Sequence, residues 1–284
     1  MEFRSATSEE EALKWLAELG DGACVIAGGT DVMMQYARGE ICPEVFVHIE
    51  GIDSLALSSH DQCSRLGALS THLRLAHSPE IRRRNPALAE AAATVGGWQT
   101  QSVGTLAGNI CNASPAADTA PPLLVADAVI ELASMHGRRQ VPLHEFFLGR
   151  RKVARRPDEL VTAVEVVPLA AGEGEVYLKV GRRGAMVVAV VGLAARLAFD
   201  AGGRIRRARV AVCSVAPTPL RVMEVERLLV EGDGSSAAVG EAAETLVSSV
   251  SPIDDSRATA AYRRDVLAGL LEHAVASCRS RVVD

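Results

Sequence analysis

The sequence is poor in aromatic residues and lacks the paired cysteines that commonly hold metals. Phe, Trp and Tyr make up 4% of its 284 residues, which argues against a surface that stacks on nucleic-acid bases. Its cysteines are never closer than 18 residues, so no C-x-x-C pair is present for zinc or an iron–sulfur cluster. Six scattered cysteines of this kind are typical of reduced thiols in a cytoplasmic protein.

Long hydrophobic runs and an excess of positive charge are missing as well. The longest apolar run covers ten residues, 186–195, whereas about 20 are needed to cross a bilayer. The Glu-rich N-terminus lacks the basic and apolar regions of a signal peptide. Thirty Lys and Arg against 35 Asp and Glu give a net charge of −5, which disfavours general binding to nucleic acids. We expect a cytoplasmic protein with no membrane span and no nucleic-acid partner.

Several common catalytic and nucleotide-binding motifs are also absent. The seven His residues show no H-E-x-x-H spacing, and His72 and His77 are expected at the surface of a short helix. Ser114 has no G-x-S-x-G context, so a hydrolase triad is not predicted. Neither the G-x-G-x-x-G nor the G-x-x-x-x-G-K-[ST] fingerprint occurs.

The first part of the chain predicts a mixture of short strands and helices. Ser8 is expected to cap a helix that Gly20 ends, and Thr71 to begin a short one. The stretch 96–118 is rich in Gly, Asn, Ser and Pro, which predicts a long binding loop. Apolar segments predict strands over 24–27, 45–49, 65–69, 128–132 and 160–167.

A change of pattern at 168–174 predicts a domain boundary. Beyond it, segments 177–182, 187–199 and 205–215 predict a three-stranded antiparallel sheet, with a hairpin at Gly202 and Gly203. Segments 217–229, 237–250 and 258–278 predict helices that pack on one face of that sheet. The fold class predicted from these patterns is therefore α+β.

The first candidate site is the sequence AGGTD at 27–31, where a strand ends in two glycines before a helical stretch. Glycines let backbone N–H groups approach an anion closely, and the start of a helix favours negative charge. An ordinary strand-to-helix turn, with Thr30 or Asp31 as the N-cap, is the alternative interpretation.

The second candidate follows in the glycine-rich stretch. Small residues around Gly104 and Gly108 leave backbone donors accessible, while Thr105, Asn109 and Asp118 add a hydroxyl, an amide and a carboxylate. That combination suits a pyrophosphate attached to a polyhydroxylated chain, and two such loops favour one shared dinucleotide. The alternative is that Asp118 caps a helix and the glycines only form turns.

The third candidate is Lys179, one of three lysines in the chain. A cation beside the pyrimidine edge of a flavin stabilises the anionic reduced ring. A solvated strand end is the alternative interpretation for this residue.

Taken together, these segments resemble the FAD-binding medium subunit of the molybdenum hydroxylase family, which includes the flavoproteins of carbon monoxide and xanthine dehydrogenases. The resemblance runs from about residue 12 to the C-terminus. It rests on AGGTD (27–31), SVGTLAGNI (102–110), ASPAADTAPPLL (113–124), YLKVGRR (177–183), APTPLR (216–221) and DSRATAAYRRDVLAGLL (255–271).

The resemblance implies an FAD-binding domain of the vanillyl-alcohol-oxidase type, with lobes at 1–50 and 51–172, and a C-terminal α+β domain at 173–284. Ala107 departs from the family, which commonly has two adjacent glycines at this point of the second loop. The residues that would contact FAD by matching position are Ala27, Gly28, Gly29, Thr30, Asp31, Val32, Met33, Met34, Val95, Thr105, Leu106, Ala107, Gly108, Asn109, Asp118, Val161 and Lys179.

The function implied by the resemblance is electron relay. A large subunit with a molybdenum–pterin cofactor would oxidise the substrate, and a small subunit with 2Fe–2S clusters would deliver electrons to FAD in this chain. The family suggests a dimer of such heterotrimers, with no catalytic residue or metal site in this chain. The alternatives are a stand-alone FAD-dependent oxidoreductase of related fold and, more remotely, a non-enzymatic dinucleotide-binding module.

Overall fold

A computed structural model describes residues 2–61 and 63–282 of the chain. Four residues of the expected division at 1–50, 51–172 and 173–284 lie outside this description, namely Met1, Gln62, Val283 and Asp284.

The N-terminal residues form a parallel sheet with the strand order β1–β3–β2. The predicted cap of the first helix is confirmed, because the Ser8 hydroxyl accepts a hydrogen bond from the Glu11 N–H at 3.2 Å. The elements are β1 (Glu2–Ser5), α1 (Glu9–Leu19), β2 (Ala23–Ile26), α2 (Val32–Ala37) and β3 (Val45–His48).

The following residues build a five-stranded antiparallel sheet, β4–β5–β10–β6–β7, with helices around it and a separate hairpin, β8–β9. Its strands are β4 (Ser59–His60), β5 (Ser64–Gly67), β6 (Val129–Ser134), β7 (Gly137–Pro142), β8 (Phe147–Gly149), β9 (Lys152–Val153) and β10 (Leu160–Val166). Its helices are α3 (His72–His77), α4 (Pro79–Arg84), α5 (Pro86–Thr94), α6 (Trp98–Val103), α7 (Leu106–Asn112), α8 (Ala120–Val125) and α9 (Leu143–Phe146).

The prediction of one long loop over 96–118 was wrong, because α6 and α7 lie within it. Gly97 and Gly104 flank α6 as its N-cap and C-cap. Thr105 caps α7 and accepts a hydrogen bond from the Gly108 N–H at 3.1 Å. The glycines that suggested a continuous loop therefore mark the ends of two short helices.

The C-terminal part is a four-stranded antiparallel sheet, β11–β12–β13–β14, rather than the three strands expected. Leu220 and Arg221, expected to be helical, pair with the otherwise open edge of β13 and so satisfy its backbone groups. The strands are β11 (Glu173–Val180), β12 (Val191–Phe199), β13 (Ile205–Cys213) and β14 (Leu220–Arg221). The helices are α10 (Met223–Glu231), α11 (Ser236–Ser248) and α12 (Ala260–Ser280).

This sheet packs on both of its faces. Leu193 and Ala195 of β12 belong to a core shared with the C-terminal helices, whereas Ala194 belongs to the core of the first 170 residues. The alternation follows from the period of two in a strand, which points successive side chains to opposite faces. No helix within the described residues is long and apolar enough to cross a membrane.

Candidate functional site

A cleft of about 360 Å³ lies between the N-terminal lobe and the α3–α7 region, a size typical of small-molecule sites. One wall is the turn from β2 into α2, and the opposite wall is formed by α7 and β10. The predicted site residues that line the cleft are Ala27, Gly28, Gly29, Thr30, Asp31, Val32, Val95, Thr105, Ala107, Gly108, Asn109 and Val161.

The remaining predicted residues do not line this cleft. Met33 and Met34 are exposed on α2, and Leu106 is fully buried in the apolar core. Asp118 and Lys179 are paired with each other. A contact between any of these five residues and a cofactor stays a prediction.

Gly28 is the point where the two glycine-rich segments touch. A β-carbon at this position would lie 1.9 Å from the carbonyl oxygen of Val103, which is far inside van der Waals contact. The next residue, Gly29, has a φ of +68°, which side chains other than glycine rarely tolerate. The two glycines therefore allow the β2–α2 turn to pack directly on the end of α6.

The β2–α2 turn carries a strip of free hydrogen-bond donors. In the described parts of the chain, no protein acceptor meets the backbone N–H groups of residues 28–32. Asp31 stands as the N-cap of α2 without a side-chain capping bond, and burial raises the pKa of its carboxyl. Consecutive unpaired N–H groups facing a cleft form a concave site for an anion.

The second glycine-rich segment has a different character. The N–H groups of Leu106 and Ala107 donate to the carbonyls of Ser70 and Ala68, at 2.9 and 3.3 Å. Because Gly108 and Asn109 donate to Thr105, none of these four groups is free within the described structure. Ala107 lies in the first turn of α7, so its methyl group meets no backbone restriction there. This segment forms a wall of the cleft.

His72 was wrongly expected at the surface. The helix that Thr71 caps is confirmed, but the His72 side chain is only 2% exposed and lines the cleft beside Gly104. Its Nδ1 atom has no hydrogen-bond partner among the described residues. Burial away from water lowers the pKa of the imidazole to about 4, so it is neutral near pH 7.

Two arginines of the cleft were also missed by the sequence analysis. Arg151 pairs with Glu40 at 2.7 Å. Arg155 donates from one nitrogen to three carbonyls, those of Arg156, Pro157 and Glu159, and no carboxylate pairs with it in the described structure. The sequence signal was the run of four Arg at 150, 151, 155 and 156, which has no recognised spacing. A fixed cation without a counter-ion favours an anionic ligand.

Both alternative interpretations of Asp118 and Lys179 are excluded. Lys179 is not a solvated strand end, because its ammonium group donates to the Asp118 carboxylate at 2.8 Å and to the Thr94 carbonyl at 2.9 Å. Asp118 is not a helix cap, since Thr119 occupies the N-cap of α8. Burial raises the pKa of Asp118, opposed by Lys179 and by a 2.7 Å hydrogen bond from the Tyr177 hydroxyl.

Comparison with known proteins agrees with this geometry. The family described as "FAD binding domain in molybdopterin dehydrogenase" matches residues 1–170. The "CO dehydrogenase flavoprotein C-terminal domain" matches residues 176–278. The chain belongs to the FAD-binding medium subunits of the molybdenum hydroxylase family. As in that family, FAD is the cofactor of this medium subunit.

Individual relatives resemble the medium subunit over nearly its whole length. It is 32% identical to the 6-hydroxypseudooxynicotine dehydrogenase complex subunit alpha of Paenarthrobacter nicotinovorans, over 97% of this chain and 93% of that one. It is 31% identical to the xanthine dehydrogenase FAD-binding subunit of Escherichia coli, over 92% and 90%. The solved carbon monoxide dehydrogenase of Hydrogenophaga pseudoflava matches with a TM-score of 0.95 and 28% identity, covering 100% and 98%.

The residues present fit FAD. The diphosphate of FAD is an anion, and the cleft of this medium subunit offers it the unpaired N–H groups of residues 28–32 and the cation Arg155. The unpartnered Nδ1 of His72 adds a polar group that a ligand could satisfy. Within the described residues, no group of three or more His, Cys, Asp or Glu could hold a metal ion.

Proposed function

We propose that this medium subunit takes electrons from 2Fe–2S clusters of a partner subunit and passes them to a final acceptor. The observation that carries the proposal is the donor-lined cleft in a chain of this family. FAD, when bound, accepts electrons singly and releases them as a pair. The protein contributes the binding and orientation of the cofactor, and a charged environment for it.

We assign separate tasks to the two sides of the cleft. The N–H groups of residues 28–32 would hold the diphosphate, and Arg155 would balance its charge. Val95 and Val161 would give apolar contacts to the cofactor. Asp118 and Lys179 would contact its polar parts from the layer behind Val95, as the resemblance implies.

The partners of this chain would be a large subunit with a molybdenum–pterin cofactor and a small iron–sulfur subunit. The printed names of its relatives support this, since they include a complex subunit and medium chains. We further propose a dimer of heterotrimers, lobes of the vanillyl-alcohol-oxidase type and the domain division at 1–50, 51–172 and 173–284. Six free thiols, two of them exposed, fit a reducing compartment such as the cytoplasm.

The proposal is tested by gentle purification from the native host, followed by visible absorption spectroscopy, subunit counting and metal analysis of one sample. We expect flavin bands over a broad iron–sulfur background, two further chains, and molybdenum. Substrate added without an acceptor should bleach both the iron–sulfur and the flavin absorption. A metal-free yellow chain that turns over substrate by itself would contradict the relay and favour a stand-alone flavoenzyme.

A further inference from the structure

A buried chain of hydrogen bonds leads from the C-terminal sheet to the wall of the cleft. The Tyr177 hydroxyl donates to Asp118 at 2.7 Å, and Lys179 donates to Asp118 at 2.8 Å. Lys179 also donates to the carbonyl of Thr94 at 2.9 Å. Thr94 precedes Val95, which lines the cleft, so the position of the wall depends on the position of Lys179.

We propose that Tyr177 is a positioning residue for the FAD site, acting through Asp118 and Lys179 on the cleft wall at Thr94 and Val95. This inference rests on the proposed FAD-binding role of the cleft. Tyr177 is 6% exposed, and Asp118 and Lys179 keep 8% and 9% of their side chains exposed. Water therefore has little access to replace the hydroxyl if it is removed.

The hydroxyl matters because Asp118 must stay ionised to hold Lys179. Lys179 and Tyr177 on β11 stabilise its carboxylate, whereas burial disfavours the charge. On the other elements, Cys213 of β13 is buried beside Tyr177 with a pKa raised to about 12, so it is a neutral thiol. Glu90 of α5 accepts the backbone N–H of Tyr177 at 2.9 Å and adds a negative charge nearby. The tyrosine is thus a neutral donor that favours the ionised form of Asp118.

The test measures FAD release from the purified complex by flavin fluorescence as the pH is lowered stepwise from neutrality. Tyr177→Phe removes only the hydroxyl, so Asp118 should take up a proton at higher pH and the pair with Lys179 should fail earlier. We expect the midpoint of FAD release to move upward by about one pH unit. Tyr262→Phe, which changes a half-exposed tyrosine on α12, is the matched control and should release FAD as the unmodified complex does.

A second background separates positioning from loss of stability. In Asp118→Asn there is no carboxyl to titrate, so adding Tyr177→Phe should not shift the midpoint. An unchanged midpoint for Tyr177→Phe in the otherwise unmodified complex would overturn the inference, and so would an equal shift in the Asp118→Asn background. An unmodified complex that contains no FAD at neutral pH would instead refute the proposed function itself.

Discussion

His72 shows how burial decides the chemistry of a single residue. It is the first residue of α3, and its backbone N–H donates to the Gly104 carbonyl at 3.0 Å. A β-carbon at position 104 would lie 3.2 Å from the imidazole Cδ2, so the glycine leaves room for the ring. In this environment the ring is held neutral, with a folded-state pKa of about 4 against an ordinary value of 6.5.

His72 should make the protein less stable in mild acid. The unfolded chain binds the proton more tightly, so its contribution is complete above pH 6.5 and is lost as the pH falls towards about 4. Between about pH 7.5 and about pH 5 this group should lower the free energy of unfolding by roughly 2 kcal/mol. Urea unfolding of His72→Phe at both pH values should show that much less acid sensitivity. His77→Phe, an exposed histidine of the same helix, should keep the full sensitivity.

At the scale of elements, the cleft depends on how closely the β2–α2 turn approaches α6. The approach is possible because Gly28 has no side chain to collide with the Val103 carbonyl. The same turn holds the free N–H groups of residues 28–32, so its position and its chemistry are linked. A shift of the turn away from α6 would move the donors away from the opposite wall.

Gly28→Ala should weaken FAD binding by at least about tenfold, because a shift of the turn loses the equivalent of one or two hydrogen bonds. Fluorescence titration of the stripped complex with FAD measures this. Gly269→Ala is the control, since a β-carbon there meets no atom within 4 Å on the exposed side of α12. It should leave FAD binding unchanged and stabilise the helix by about 1 kcal/mol. Unchanged FAD affinity in a folded Gly28→Ala would show that the close approach is not required.

At the scale of the whole molecule, a buried ion pair joins the C-terminal sheet to the first 170 residues. Glu175 and Arg196 lie opposite each other on β11 and β12, with side chains 1% and 0% exposed. Glu175 accepts the Ala87 N–H at the start of α5, and Arg196 donates to the Val167 carbonyl at 2.9 Å. Burial raises the pKa of Glu175, and Arg196 opposes that rise.

Arg196→Met should destabilise the protein by about 3–5 kcal/mol, because it leaves the Glu175 carboxylate buried without its counter-ion. Thermal and urea unfolding measure the change. Arg227→Met removes an exposed arginine that pairs with Glu224 and Glu231 on α10 and should change stability little. Adding Glu175→Gln to Arg196→Met should recover part of the loss, since no unpaired charge remains. Equal effects of the two arginine variants would show that this pair does not anchor the C-terminal sheet.

The sequence by itself determined the features that depend on neighbouring residues. The caps at Ser8 and Thr71 and the turn of the β12–β13 hairpin form through contacts a few residues apart. The family resemblance was also contained in the sequence, as six ordered motifs, and it was enough to predict FAD as the cofactor. Local patterns failed over 96–118, where the same glycines are compatible with a loop and with the ends of short helices.

Only the tertiary structure decided which polar groups are buried and which donors stay free. The ion pair Asp118–Lys179 joins residues 61 positions apart, and its burial appears only after β11 has packed on the first domain. Likewise, the N–H groups of Leu106 and Ala107 are used by Ser70 and Ala68, while those of residues 28–32 are not. Solvent exposure and hydrogen-bond partners depend on segments distant in the chain, so no local pattern of residue types encodes them.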